Sequence, residues 1–165
     1  MCTSNVCRSP AGAVMLQRGV DFAGLAEQVE VGSAGTEWGS EGQPIDPRIL
    51  LALERADYDE PAAHAARIVH QSELTHWDLV LAMTAAHAET MQRKVDALPA
   101  GAPRPQVLLW RQFDPVAPAN ADPEELAVED PWYKGQRAFD RTVLVMQRCV
   151  PSIVLHLRMQ LAARR

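Results

Sequence analysis

Two short apolar runs stand out along the chain. Residues 78–83, DLVLAM, and Val107-Leu108-Leu109-Trp110 are continuous rather than alternating, the pattern of strands buried on both faces of a parallel sheet. Around them the sequence is helix-forming. Ser9-Pro10 is a helix start, with Ser to accept from free N–H groups and Pro at the first helical position. That helix is predicted to reach about Ala26, its second half weakened by Gly19 and Gly24. Asp46-Pro47 caps a second helix with an apolar stripe of Ile49, Leu50 and Leu53. A third runs from Thr84 to about Leu98, and a fourth from about Gln136 to the end, with a break or restart near Pro151. Val29-Glu30-Val31 reads as a further short strand, followed by turn-rich sequence from Gly32 to Pro44. Residues 111–131, rich in proline, read as a long irregular loop, a length that is usually functional. Strand and helix alternate, so the class is α/β with a mainly parallel sheet, and ligands are expected at the carboxyl ends of the strands beside helix N-termini.

Composition narrows the picture. The chain has 165 residues, enough for one domain, and no internal repeat or linker divides it. A net charge of −5 argues against binding nucleic acid or an anionic membrane by bulk charge. The most apolar stretch, Val143 to Leu157, is interrupted by Gln147, Arg148, Pro151 and His156, so no membrane span is predicted. Three cysteines is an odd count that fits a reducing cytoplasm better than a disulfide scaffold.

Two of those cysteines lie in the first seven residues, in the run Cys2-Thr3-Ser4-Asn5-Val6-Cys7-Arg8-Ser9. A short loop entering a helix turns successive backbone N–H groups into a concave anion nest, reinforced by the helix dipole. Arg8 can fork two oxygens of a tetrahedral oxyanion, and Cys2 would lie at the floor, where the positive field favours thiolate. The arrangement predicts a covalent thiophosphate intermediate. Two other readings compete: an incidental cysteine near a terminus, and half of a metal site. Against the second, there is no further cysteine pair and no HxxxH spacing.

Ester hydrolysis also needs an acid for the leaving oxygen. Four Asp-Pro pairs compete, at Asp46, Asp114, Asp122 and Asp130, and most such pairs are only turns or helix starts. Asp130 differs because Trp132 and Tyr133 follow at once, offering aromatic walls for a phenyl phosphate. Trp38 is either another such wall or an ordinary loop tryptophan.

CTSNVCRSP resembles the phosphate loop of the low-molecular-weight protein tyrosine phosphatases, and DPWY resembles their acid loop. SAGTEW at 33–38, IDPR at 45–48, HAAR at 64–67 and DLVLAM at 78–83 are similar to the segments between, in the same order, so the likeness covers most of residues 1–165 as a single domain. The resemblance implies a four-stranded parallel sheet in the order 2-1-3-4 flanked by helices, and phosphotyrosine hydrolysis without cofactor. It implies Cys2 as nucleophile, Arg8 as phosphate ligand and Asp130 as proton donor. The loop Thr3, Ser4, Asn5, Val6, Cys7, Arg8 and Ser9 would hold the phosphate, with Ser33 and His64 supporting and Trp38, Trp132 and Tyr133 touching substrate. Cys7 beside the nucleophile implies a reversible Cys2–Cys7 disulfide. The implied partners are phosphotyrosine proteins, among them a bacterial tyrosine kinase or its targets, in the cytoplasm.

Departures define the rival readings. LAMTAAHAETM, with Thr84, resembles the arginine-phosphatase side of the superfamily, whereas Val6 fits the tyrosine branch. Residues 78–100 contain no cysteine, against the relay of the related arsenate reductases. The different-class rival is a phosphate-binding pseudoenzyme or an inactive truncated product. Family members enter the phosphate loop through an apolar strand, and here only Met1 precedes Cys2. The expectation is a late start, at a GTG codon whose valine belongs to a missing first strand.

Overall fold

The computed structural model describes residues 1–59, 61 and 63–164. Its elements run α1 (Arg8–Phe22), α2 (Pro47–Arg55), β1 (Leu79–Ala82), α3 (Ala85–Asp96), β2 (Gln106–Leu109) and α4 (Gln136–Ala163), with short 3-10 turns at Gln71–His76 and Trp110–Phe113. β1 and β2 pair in parallel, Leu79 opposite Gln106 through Ala82 opposite Leu109. Alternation along β1 divides the interior. Leu81 packs with Met15, Ile49, Phe139 and Met146 beneath α1, α2 and α4, while Val80 packs with Met91 and Val95 beneath α3. The protein is therefore α/β, with helices on both faces of a parallel sheet.

The sheet continues past β1 by single contacts. The Met1 amino group donates to Leu81 O at 2.7 Å, and Met83 N donates back to Met1 O at 3.0 Å. Cys2 then bridges Gly35 in parallel, and Gly35 bridges Ile68. Cys2 thus lies at the carboxyl edge, in line with the end of β1.

Several expectations are corrected. Val29-Glu30-Val31 forms no strand: Val29 and Val31 lean on the core, but a groove of about 510 Å³ separates the segment from β1. Without a hydrogen-bonded neighbour an extended segment is not a strand. Helix α1 ends at Phe22 rather than Ala26, because Gly24 takes a left-handed conformation (φ 68°) that lets Leu25 N bond back to Val20 O. Trp110 leaves the strand for a 3-10 turn, where its ring lies over Gly12 and its Nε1 donates to Met146 O. Helix α4 runs unbroken through Pro151, which faces solvent where the freed carbonyl one turn back can be hydrated. Among the described residues no helix is long and apolar enough to cross a membrane.

Candidate active site

The loop from Cys2 to Arg8 curls over the start of α1. Its cap residue, Cys7, places no side-chain acceptor on the first turn, so that end of the helix is left for an external anion. Ser9 is not the cap that the sequence predicted. It lies inside the helix, buried, with Oγ 3.0 Å from Cys2 Sγ. Asn5 Nδ2 donates to the same Ser9 Oγ at 2.9 Å, and a Cys2 thiolate, which can only accept, would take the Ser9 hydroxyl proton.

Asn5 organises the loop. It is fully buried and left-handed (φ 57°), a conformation that Asn tolerates better than other side chains. Its Nδ2 also donates to Ser33 Oγ at 2.9 Å, its Oδ1 accepts from Arg67 N, and its carbonyl accepts from His64 Nε2 at 2.8 Å. The supporting residues read from the sequence, Ser33 and His64, therefore meet at one asparagine. Gly35 packs against the outer side, where Thr36 N donates to Cys2 O and Thr3 O, and Glu37 N to Thr3 O.

Arg8 is buried at the far end of the loop. Its Nη1 donates to Val128 O at 3.0 Å and its Nη2 to Asp130 Oδ2 at 2.7 Å. The Asp130 side chain is 52% exposed, and its other oxygen accepts from Trp132 N at 3.1 Å. The four Asp-Pro pairs are now distinguished. Asp46 caps α2, Asp114 is buried between Arg111 and Arg148, Asp122 opens a turn, and Asp130 alone among them faces Arg8. The three aromatic residues read as substrate walls are held less tightly. Trp38 follows Glu37 and is 74% exposed, edge-on to His70; Trp132 stacks on Arg48; Tyr133 is almost wholly exposed.

Burial, together with the neighbouring Cys2, pushes the Cys7 thiol well above its ordinary range, whereas Cys149, far along α4, is raised to about 12 mainly by burial. All three cysteines are free. Among the described residues no group of three or more His, Cys, Asp and Glu is placed to hold a metal ion.

Two site residues escaped the sequence reading. His87 on α3 bridges Thr3 Oγ1 (Nε2, 2.9 Å) and Thr84 Oγ1 (Nδ1, 2.8 Å). Burial and the nearby Arg8 and Met1 charges push it down to about 4, so it is neutral at physiological pH. Arg48 links α2 to the Trp132 segment. The only available signals were Thr84 three residues before His87, as in a helix cap, and the place of Arg48 in IDPR.

A buried thiol within hydrogen-bond distance of a serine hydroxyl, an anion-ready loop and an arginine facing an aspartate are the groups that a cysteine-dependent phosphate site requires, here on an α/β scaffold. Comparison with known proteins agrees. The family model described as low molecular weight phosphotyrosine protein phosphatase matches residues 1–163. A low molecular weight protein-tyrosine-phosphatase of Streptomyces coelicolor is 35% identical over 99% of this chain and 94% of its own. Among solved structures, a protein tyrosine phosphatase of Entamoeba histolytica superposes with a TM-score of 0.80 (23% identity; 96% of this chain, 94% of that one). A low molecular weight phosphotyrosine phosphatase of Vibrio cholerae O395 does so at 0.77 (25% identity; 96% and 94%). The chain belongs to the low molecular weight phosphotyrosine protein phosphatase family, a family of hydrolases.

Proposed function

We propose that this chain hydrolyses phosphotyrosine in proteins through a phosphocysteine, with Cys2 as nucleophile, Arg8 as phosphate ligand and Asp130 as acid and base. The observation that carries the reading is Cys2 Sγ, 3.0 Å from Ser9 Oγ, at the floor of a loop whose mouth holds Arg8 and Asp130. In the first step the Cys2 thiolate attacks phosphorus, the bond from phosphorus to the phenolic oxygen breaks, and protonated Asp130 gives its proton to that oxygen. The loop N–H groups and the Arg8 fork stabilise the equatorial oxygens, Arg8 exchanging its contact with Asp130 for phosphate. In the second step Asp130 takes a proton from water, the water oxygen attacks phosphorus, and the S–P bond breaks to release phosphate and thiolate. Trp38, Trp132 and Tyr133 supply apolar surface for the phenyl ring.

The partners of this reading are phosphotyrosine proteins, a bacterial tyrosine kinase and its targets among them, met in the cytoplasm; three free cysteines favour that compartment. The groove between Val29–Ala34 and β1 favours a further element. We read it as the seat of an extended apolar strand continuous with Met1, which would complete a four-stranded sheet in the order 2-1-3-4, with β1 and β2 third and fourth.

The test is hydrolysis of an aryl phosphate. We expect turnover that vanadate inhibits, that Cys2→Ser abolishes, and that Asp130→Ala slows by about a hundredfold or more on a poor leaving group. Phosphate binding without turnover on phosphotyrosine, phosphoarginine or arsenate would leave a phosphate-binding pseudoenzyme. Preference for phosphoarginine peptides would move the substrate to the arginine branch.

A further inference from the structure

Arg48 lies outside the reacting groups, yet it joins the two segments that carry them. On one side it is fixed to the phosphate loop. Asp46 N donates to Val6 O at 2.8 Å, and the Asp46 carboxylate accepts from Arg48 N (2.8 Å), Nε (3.0 Å) and Nη2 (2.7 Å). That fork, chiefly the Arg48 side chain, holds the Asp46 carboxyl below its ordinary range. On the other side Arg48 Nη1 donates to Trp132 O at 3.0 Å. Its guanidinium lies 5.2 Å from the centre of the Trp132 ring and 4.4 Å from that of the fully buried Phe139 of α4. Gln136 Nε2 closes the contact on Arg48 O at 2.8 Å. Trp132 N in turn donates to Asp130 Oδ1.

We propose that Arg48 is a positioning residue for the general acid: by holding Trp132 it holds the Trp132 N–H that aims the Asp130 carboxyl across the phosphate loop. The proposal rests on Asp130 being that acid. Its charge is already matched by Asp46, so Arg48 acts as a planar brace rather than as an anion ligand. The loop it braces is irregular, and the Asp130 side chain is half exposed, so without Arg48 only the Arg8 contact ties the Asp130–Trp132 turn to the phosphate loop, and substrate phosphate competes for that arginine.

The consequence is specific to leaving-group basicity. A phenol of high pKa must be protonated as it departs; a dinitrophenol need not be. The experiment measures kcat/KM, which reports steps through cleavage of the ester, for aryl phosphates spanning that range. Asp130→Asn should steepen the dependence on leaving-group pKa. Arg48→Gln should steepen it partly, losing about tenfold on phenyl phosphate and less than twofold on dinitrophenyl phosphate. Arg48→Lys, which keeps the charge but not the fork, should resemble Arg48→Gln. The double variant Arg48→Gln/Asp130→Asn should be no slower than Asp130→Asn. Thermal unfolding identifies variants that fold, and if Arg48→Gln does not, Arg48→Lys carries the comparison. Equal slowing of all esters, or none, by an Arg48 variant while Asp130→Asn steepens the series overturns the proposal. A flat series for Asp130→Asn would instead overturn the assignment of Asp130.

Discussion

Asn5 uses its whole side-chain amide and its carbonyl: two amide hydrogens to Ser9 and Ser33, the amide oxygen from Arg67 N, and the carbonyl from His64. Its presence and that of Ser9 are legible in the sequence because the motif is local, with seven residues carrying the whole loop. Ser33 and His64 lie 28 and 59 positions from Asn5, and resemblance alone pointed to them. For His87 the sequence offered only the cap-like Thr84 three residues before it, since its chemistry arises from a contact with Thr3, 84 positions away. The neutral ring carries one proton, so it donates to one threonine hydroxyl and accepts from the other, and either way it ties Thr3 to Thr84. Thr3, pinned through its carbonyl by residues 36 and 37, is pinned through its hydroxyl as well. We expect His87→Leu to lower kcat/KM about fivefold, the worth of one neutral hydrogen bond. The loss should be absent in a Thr3→Val background. Because His87 titrates near 4, the shape of the pH–rate profile above pH 5 should be unchanged. A limb near pH 6.5 that vanishes in His87→Leu would refute this account.

At the scale of elements, what the sequence disclosed depended on how local the cause was. β1 and β2 are apolar runs with no polar residue inside Val80–Met83 or Val107–Trp110, and both exist where the pattern put them. Helix α2 was legible from Asp46-Pro47 and its stripe, of which Ile49 and Leu53 are buried. Pro151 misled because the cost of a helix proline depends on what surrounds it, and here it sits on an exposed face of the helix. Val29–Val31 misled because strandhood requires a neighbour that local sequence does not report. Gly35 is the element-level counterpart of Asn5, where two segments approach too closely for a side chain. A Cβ there would stand 2.6 Å from Thr3 O and 3.2 Å from Ser4 C, both backbone atoms that must shift together. We expect Gly35→Ala to destabilise the protein by about 1–3 kcal/mol and to weaken vanadate binding at the displaced loop. Unfolding in urea with parallel vanadate titration reads both. Unchanged vanadate affinity would show that the loop does not depend on this approach.

For the molecule as a whole, the sheet and the site join at Met1. Its amino group is buried at the base of the groove, and desolvation, with Arg8 adding to it against an opposing influence of Cys2, lowers it from an ordinary 8.0 to about 6. A base depressed in the folded state binds fewer protons there than in the unfolded chain. Below pH 6 both states carry the charge and its burial destabilises the fold in full. Between pH 6 and 8 the unfolded state holds more protons, so stability rises with pH; above 8 both are neutral and the gain levels off. Two units correspond to about 3 kcal/mol at most. His87 acts with the same sign but in a lower window, from about 4 to 6.5, so the upper part of the rise belongs to Met1. Joining a short valine-rich segment to Met1 replaces the amine by a peptide N–H, which can keep the bond to Leu81 O without a charge to desolvate. If the groove seats a strand, the extended chain should lose the rise between pH 6.5 and 8 in urea unfolding. It should also protect the amides of Val31 to Ser33 from hydrogen exchange, because that edge then has a partner. An extended chain that keeps the rise and leaves those amides unprotected would mean that the groove is not a strand position. The four-stranded order would then fall, while the chemistry at Cys2 would stand on its own tests.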